Sequence, residues 1–274
     1  MSAGGIEVPY RVRFDECNPD GIARSSAILR YAQDIAWIHS ERLGFGGEWY
    51  AERGLAWVVR AAELVVLAPI PLGTTLTLAT SVVGQRKVWA RRRTDGHLAD
   101  GTLALWGHTD WVMTDHRGAP SRVPPEFMTA FDVPLGSFEP GRVPLPPTPA
   151  DAVLHRVDVR PQDLDPMGHV NNAAYLDYLE EALFAAGPGG AVLTAAVPRR
   201  IRLEYLYPAS PGAMLTGAAW AMPAAPDAGA GDGWAWRLID GDGDGRQLAR
   251  GTVTADAGST ATDGAAAEGA TRAA

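Results

Sequence analysis

Two segments of the chain carry apolar residues at the three- and four-residue spacing of an amphipathic helix. In the first segment, residues 24–43, these positions are Ile28, Tyr31, Ala32, Ile35 and His39, and Gly44 is a suitable helix end. In the second, the apolar face is Tyr175, Leu179, Ala182 and Leu183, with Asp177, Glu180 and Glu181 away from it. The run Gly187-Pro188-Gly189-Gly190 ends this second predicted helix.

Segments rich in aliphatic and β-branched residues follow the first helix. They cover residues 55–68, 74–83, 88–94 and 103–113 and predict the strands of a sheet. The pairs Asp95-Gly96 and Asp240-Gly241 are typical of tight hairpin turns, where a positive φ is needed. One helix followed by several strands therefore predicts an α+β fold.

The sequence contains an internal repeat. Superposing Gly21 on Gly168, an offset of 147 residues, also matches Pro19 with Pro166, Ala27 with Ala174, Leu29 with Leu176 and Tyr31 with Tyr178. Later segments match at offsets of 139 and 145, as expected where surface loops have changed length. Asp165 and His169 of the second copy replace Asn18 and Ile22 of the first. This asymmetry predicts a duplicated scaffold with one working site.

The repeat and the composition predict four regions. Residues 1–132 form a first, non-catalytic domain that shapes the pocket, and residues 151–255 form a second, catalytic domain. Between them, residues 133–150 are a semi-rigid linker, because six of the seventeen residues 133–149 are proline. Residues 256–274 are mostly small and polar and are expected to be a disordered tail.

Composition narrows the classes of function. The chain has 274 residues, 46% of them hydrophobic, which suits globular domains with a real core. A formal net charge of −8 does not favour nucleic acid as a partner. Cys17 is the single cysteine, so no internal disulfide is expected, and no metal site or cofactor is indicated. Without a signal peptide or an apolar run of membrane-spanning length, we expect a cytoplasmic protein with no membrane partner.

The motif Asp163-x-Asp165-Pro-x-Gly168-x-Val170 with Tyr175 and Glu180 resembles the signature of hotdog thioesterases of the 4-hydroxybenzoyl-CoA type. A more specific resemblance, to acyl-ACP thioesterases, lies in the run Gly168-His169-Val170-Asn171-Asn172-x-x-Tyr175. The first half resembles the same family at Gln33-Asp34, His39, Leu43-Gly44 and Trp57-Val58-Val59-Arg60. The resemblance covers about residues 8–255. It implies a double (tandem) hotdog fold, each half a long central helix wrapped by a curved antiparallel sheet, and hydrolysis of fatty acyl thioesters on acyl carrier protein.

Thioester hydrolysis requires an activated water or a nucleophile, and donors for the carbonyl oxygen. Asp165 is the expected base or nucleophile, and His169 the residue that positions water or protonates the thiolate. Backbone N–H groups near residues 168–171 are expected to bind the thioester oxygen, and Gly168 to allow close approach of the acyl group. Asn171 and Glu180 are further catalytic candidates and Asn172 a substrate-binding one. The alternatives are that Asp165 only forms the cap or the turn and that His169 is a structural histidine. Likewise, Asn171 or Asn172 could cap the helix, Glu180 could be solvated, and Asp163 could be a turn residue.

A run of cations stands out in this acidic chain, with Arg86, Lys87 and Arg91 as its substrate-binding candidates. The run is interpreted as a docking patch for acidic acyl carrier protein or for CoA phosphates, or as a solvated strand face. Rival functions are an acyl-CoA or polyketide-chain thioesterase and a non-catalytic acyl-binding regulator. A monomeric pseudo-dimer and a homodimer both fit a tandem chain.

Overall fold

The computed structural model describes residues 4–133, 138–222, 230–241 and 245–256. The first half contains strands β1 (Gly5–Arg11), β2 (Leu55–Val66), β3 (Thr75–Arg86), β4 (Trp89–His97) and β5 (Leu103–Asp115), and helices α1 (Ser25–Arg42), α2 (Gly47–Arg53) and α3 (Pro125–Ala130). The second half contains strands β6 (Val153–Asp158), β7 (Arg199–Tyr205), β8 (Met214–Met222), β9 (Ala230–Asp240) and β10 (Gln247–Asp256), and helices α4 (Ala174–Ala185) and α5 (Pro188–Ala195).

All of these strands belong to one antiparallel sheet with the order β1-β3-β4-β5-β2-β7-β10-β9-β8-β6. The order of the second half, read from its outer edge inward, repeats that of the first. The halves meet where β2 pairs with β7, in a register that sets Glu63 opposite Arg202. Glu63 and Arg202 hold the same position in the two copies of the repeat, 139 residues apart, so a local twofold axis passes between them. The expected α+β tandem hotdog is confirmed.

Each long helix packs its apolar stripe against its own half of the sheet. On α1, Ile28, Tyr31 and Ile35 join the core formed with β2, β3 and β5. On α4, Leu179 and Ala182 are 1% and 0% exposed in the core of the second half. Burial of each large aliphatic side chain contributes about 1.5–3 kcal/mol, so the two stripes fix both helices to the sheet.

Several sequence predictions need correction in detail. Asp95-Gly96 is not a turn, since both residues lie inside β4. Gly96 is required there for packing, because a Cβ atom would come 2.7 Å from the Leu105 side chain. The sequence pattern also missed α2, α3 and α5, which are too short to show periodicity. The expected tail, apart from residue 256 at the end of β10, lies outside the described residues, as does part of the expected linker, residues 134–137.

The described part of the linker, residues 138–150, runs as a strap across the sheet. Side chains of four strands hold the strap in place. The contacts are Gly141 N–H to Asp110 (2.6 Å), Val143 N–H to Glu204 (2.9 Å), Arg202 to the Arg142 carbonyl (2.9 Å), Arg237 to the Pro146 carbonyl (2.7 Å) and Arg91 over Phe138. These contacts join residues of both halves to one extended segment. Among the described helices, none is long and apolar enough to cross a bilayer.

Candidate active site

The two copies of the motif fold into matching turns ahead of α1 and α4. Asp165 Oδ1 accepts hydrogen bonds from the backbone N–H groups of Met167 (2.9 Å) and His169 (3.2 Å). Asn18 Oδ1 accepts the equivalent pair from Asp20 (3.1 Å) and Ile22 (2.9 Å). Gly21 and Gly168 both have a φ of 75°, which favours glycine. An amide oxygen therefore builds this turn as well as a carboxylate does, so the negative charge of Asp165 serves another purpose.

A second acid anchors each turn to its helix. Asp163 is 5% exposed and accepts hydrogen bonds from the Tyr178 hydroxyl (2.8 Å) and the Arg160 side chain (3.0 and 3.1 Å). Burial opposes ionisation of Asp163, but these hydrogen bonds outweigh it and lower its pKa. In the first half, Glu16 makes the same contacts to Tyr31 and Arg13. The geometry agrees with the prediction that Asp163 is a structural turn residue.

In the first half, the turn is closed by the loop between β2 and β3. The Ala23 N–H donates to the Ile70 carbonyl (2.9 Å), and the Leu72 N–H donates to the Gly21 carbonyl (2.8 Å). These two hydrogen bonds form a short antiparallel bridge that sets Ile22 against Pro71. We call this pairing the loop bridge.

The loop bridge is missing from the second half. Within the described residues, neither the Val170 N–H nor the Gly168 carbonyl, the equivalents of the Ala23 and Gly21 groups, has a hydrogen-bond partner. The sequence explains half of this difference, because Pro211 stands at the position of Leu72 and has no N–H to donate. The second half therefore has an open turn where the first half has a closed one.

Tyr175 holds the loop of the second half in a different way. The Ala209 N–H donates to the Tyr175 hydroxyl oxygen at 3.0 Å. The equivalent of Tyr175 in the first half is Ile28, which has no such group. Burial raises the pKa of Tyr175 to about 12, so the hydroxyl keeps its proton and can itself donate. Tyr175 is a site residue to which sequence reasoning gave no role, although the change from Ile28 was visible in the repeat.

Asp165 and His169 lie at this open turn. Asp165 is partly exposed and His169 is exposed. Among the described residues, the second carboxylate oxygen of Asp165 and the imidazole of His169 have no hydrogen-bond partner. Both groups are thus available to a substrate or to water, and the structure brings them together in one turn.

Of the four N–H groups of residues 168–171, expected to bind the thioester oxygen, three already have partners, and only that of Val170 has none among the described residues. The N–H groups of Gly168, His169 and Asn171 bond within the turn, to Asp165 O, Asp165 Oδ1 and Asp163 O respectively. In the described chain, the Asn172 N–H makes no hydrogen bond, and it lies just before α4 at the positive end of the helix dipole. Asn172 therefore replaces these three groups as the candidate donor.

Asn171 has a structural part in the same segment. Its Oδ1 accepts the Ala173 N–H at 2.9 Å, and its carbonyl accepts the Ala174 N–H at 2.9 Å. These bonds form the turn that leads into α4, whose N-cap is Ala173, so neither asparagine is the N-cap that the alternative expected. A catalytic role for Asn171 is not needed to explain its presence.

Glu180 is not in contact with the Asp165 turn. It faces Ser25, the first residue of α1, and Arg199, the first residue of β7. These two residues are 0% and 2% exposed. Burial raises the pKa of Glu180 to about 7, although the Arg199 charge and the Ser25 hydroxyl oppose this shift. Glu180 is therefore partly buried at the junction between the halves and is not placed to share the chemistry of Asp165.

The cationic run is largely committed to structural contacts. Arg91 makes a two-pronged ion pair with Asp110 (2.7 and 2.8 Å) and donates to the Glu139 carbonyl (3.0 Å). Arg86 pairs with the Glu139 carboxylate at 3.2 Å. Lys87 is exposed at the β3–β4 turn, with a φ of 54°. Arg91 thus holds the strap on the sheet, and of the three docking candidates Lys87 alone has an exposed side chain without such a contact.

No group of three or more His, Cys, Asp or Glu side chains in the described ranges is arranged to hold a metal ion. Cys17 is buried, and its thiol contacts the Arg13 carbonyl at 3.3 Å.

Comparisons with known proteins agree with this architecture. Residues 6–131 match the model of the acyl-ACP thioesterase N-terminal domain, and residues 148–223 match that of the C-terminal domain. The chloroplastic acyl-[acyl-carrier-protein] hydrolase FATB2 of Cuphea viscosissima is 24% identical over 190 residues, which are 63% of this chain and 46% of that protein. The chain thus spans about half the length of this curated relative.

Solved structures share the fold at low sequence identity. A Lactobacillus plantarum protein, assigned provisionally as an oleoyl thioesterase, superposes with a TM-score of 0.79 at 21% identity, over 92% of this chain and 96% of its own. The 12:0-ACP thioesterase of Umbellularia californica gives a TM-score of 0.73 at 19% identity, over 92% of this chain and 97% of its own. Because both domain models match in order and together cover most of the chain, it belongs to the acyl-ACP thioesterase family.

Proposed function

We propose that this protein hydrolyses fatty acyl thioesters of acyl carrier protein, releasing the fatty acid and the carrier thiol. The observation that carries the proposal is the coincidence of two features in the second half alone. The carboxylate of Asp165 replaces the amide of Asn18, and the loop bridge beside it is open. Membership of the acyl-ACP thioesterase family supports the choice of carrier.

Asp165 is the base in this proposal. Its Oδ1 is fixed by two backbone N–H groups, which leaves the other oxygen to take a proton from water. The water oxygen attacks the thioester carbonyl carbon, and the resulting oxyanion accepts the Asn172 N–H at the positive end of α4. The C–S bond then breaks, the His169 imidazolium protonates the departing thiolate, and the proton that Asp165 took from water restores the imidazolium.

The test is thiol release from palmitoyl-ACP and palmitoyl-CoA by the wild type and by Asp165→Asn. The variant should lose turnover by about 100-fold or more, the usual contribution of a general base. Its melting temperature should hold, because Asn18 shows that an amide makes the same turn. Unchanged turnover in Asp165→Asn would contradict the assignment of the base.

The matched variant is Asn18→Asp, which places a carboxylate in the closed turn. We expect no added activity, because the loop bridge already occupies the backbone edge beside that turn. Turnover on palmitoyl-CoA alone would replace the proposal with an acyl-CoA thioesterase. Stabilisation by acyl ligand without any thiol release would replace it with a non-catalytic binding protein.

A further inference from the structure

We propose that the open turn binds the pantetheine arm of the substrate, with the Val170 N–H and the Gly168 carbonyl as its hydrogen-bonding groups. This inference rests on the proposed function and names the part of the substrate that the second half recognises. Its starting point is the comparison of the two halves. The Ala23 N–H and the Gly21 carbonyl have partners, whereas the equivalent Val170 N–H and Gly168 carbonyl have none in the part of the chain that the structure describes.

The first half shows what chemistry this edge accepts. There, the loop presents the Ile70 carbonyl to the Ala23 N–H and, one residue later, the Leu72 N–H to the Gly21 carbonyl. The edge therefore binds an extended chain that offers an amide carbonyl followed by an amide N–H. Recognition of this kind adds a strand-like segment to an exposed backbone edge.

Pantetheine carries that same order of groups. Its pantoyl carbonyl is followed by the β-alanine unit and then by the N–H of cysteamine. The carbonyl and the N–H are therefore separated by one methylene more than the Ile70 carbonyl and the Leu72 N–H, which are separated by one residue. With the pantoyl carbonyl on the Val170 N–H, the cysteamine N–H reaches the Gly168 carbonyl. The sulfur is two methylenes further on, which brings the thioester to the turn that holds Asp165.

The second half has two features that keep this edge free. Pro211 removes the N–H that would bond to the Gly168 carbonyl. The Tyr175 hydroxyl accepts the Ala209 N–H and so fixes the loop without closing the bridge. Val170 is 4% exposed, and leaving a buried N–H without a partner is costly, which favours a ligand that supplies an acceptor.

The experiment compares kcat/KM for three decanoyl thioesters, those of pantetheine, N-acetylcysteamine and ethanethiol. The second keeps the cysteamine N–H but lacks the pantoyl carbonyl, and the third has no amide. We expect each lost hydrogen bond to lower kcat/KM by about 5- to 10-fold. Equal kcat/KM for the pantetheine and ethyl thioesters would overturn the inference while leaving the hydrolase intact, whereas only a failure to release thiol from palmitoyl-ACP would refute the proposed function.

Pro211→Leu gives residue 211 the backbone N–H that Leu72 has in the first half. This N–H should compete with the pantetheine arm for the Gly168 carbonyl. We expect a loss of at least 10-fold on the pantetheine thioester and a much smaller loss on the ethyl thioester. Leu72→Pro is the matched control, since it opens the equivalent bridge in the half that lacks the carboxylate, and it should leave the substrate ratio unchanged. An equal loss on all three substrates in Pro211→Leu would contradict pantetheine binding at this edge.

Discussion

Arg30 of α1 and Asp177 of α4 form an ion pair of 2.8 Å between residues that occupy the same position in the two copies, 147 residues apart. Glu63 and Arg202, also equivalent, face each other across the β2–β7 junction, with 3.9 Å between Glu63 Oε1 and Arg202 Nε. Both pairs lie on the local twofold axis, where two identical halves would place identical residues. Opposite charges at these positions favour the pairing of a first half with a second half over the pairing of like halves.

The first prediction concerns this pairing. Asp177→Arg should lower the free energy of unfolding by about 0.5–1 kcal/mol, because it sets two guanidinium groups together on a partly exposed helix face. The double swap Arg30→Asp with Asp177→Arg should restore most of that loss. A denaturant-unfolding cycle over the four proteins measures the coupling. The exposed pair Arg156–Asp158, within one strand, is the control, and an equal coupling there would argue against a special role of the axis.

Asp163→Asn should destabilise the protein by about 1–3 kcal/mol, because it removes the charge that pairs with Arg160 and leaves one acceptor oxygen where Arg160 and Tyr178 now share two. Glu16→Gln, the matched change in the first half, should cost a similar amount, since Glu16 makes the same contacts. Urea unfolding compares the two variants. A loss below about 0.5 kcal/mol in either would show that the anchor is dispensable.

Tyr175→Phe removes the acceptor of the Ala209 N–H. We expect a loss of about 1–3 kcal/mol in stability and a drop in kcat/KM, because the loop is no longer held away from the open turn. Tyr50→Phe is the control, since it also removes a buried tyrosine hydroxyl, bonded to Ser40 and Trp57 in the other half. Loss of stability without loss of kcat/KM in Tyr175→Phe would assign Tyr175 to the fold alone.

Glu180 makes stability depend on pH with a defined sign. Its pKa is raised by burial from 4.5 to about 7, so between those values the folded state binds more protons than the unfolded state. Stability from this group is therefore present below pH 4.5 and falls as pH rises to about 7, by up to about 3 kcal/mol. Glu180→Gln should raise the melting temperature more at pH 8 than at pH 5. An equal change at both pH values would show that Glu180 is not shifted.

The sequence by itself determined the two long helices, most strands of the first half and the duplication. Helical spacing placed α1 and α4 to within a few residues, because the apolar residues of one helix face recur every three or four positions. The four first-half strands after α1 followed from their apolar runs, with boundaries shifted by up to three residues. The Asp165 and Asn18 asymmetry also required only a comparison of the two copies.

The tertiary structure decided which groups are free to act. The loop bridge joins backbone groups about fifty residues apart in the first half, and the tether between Tyr175 and Ala209 joins residues 34 apart in the second. Hydrogen bonds over such separations depend on how helix, turn and loop meet, which local patterns do not encode. For the same reason, the sequence showed the charges of Glu180 and Arg91, and only the fold showed that Glu180 faces α1 and Arg91 holds the strap.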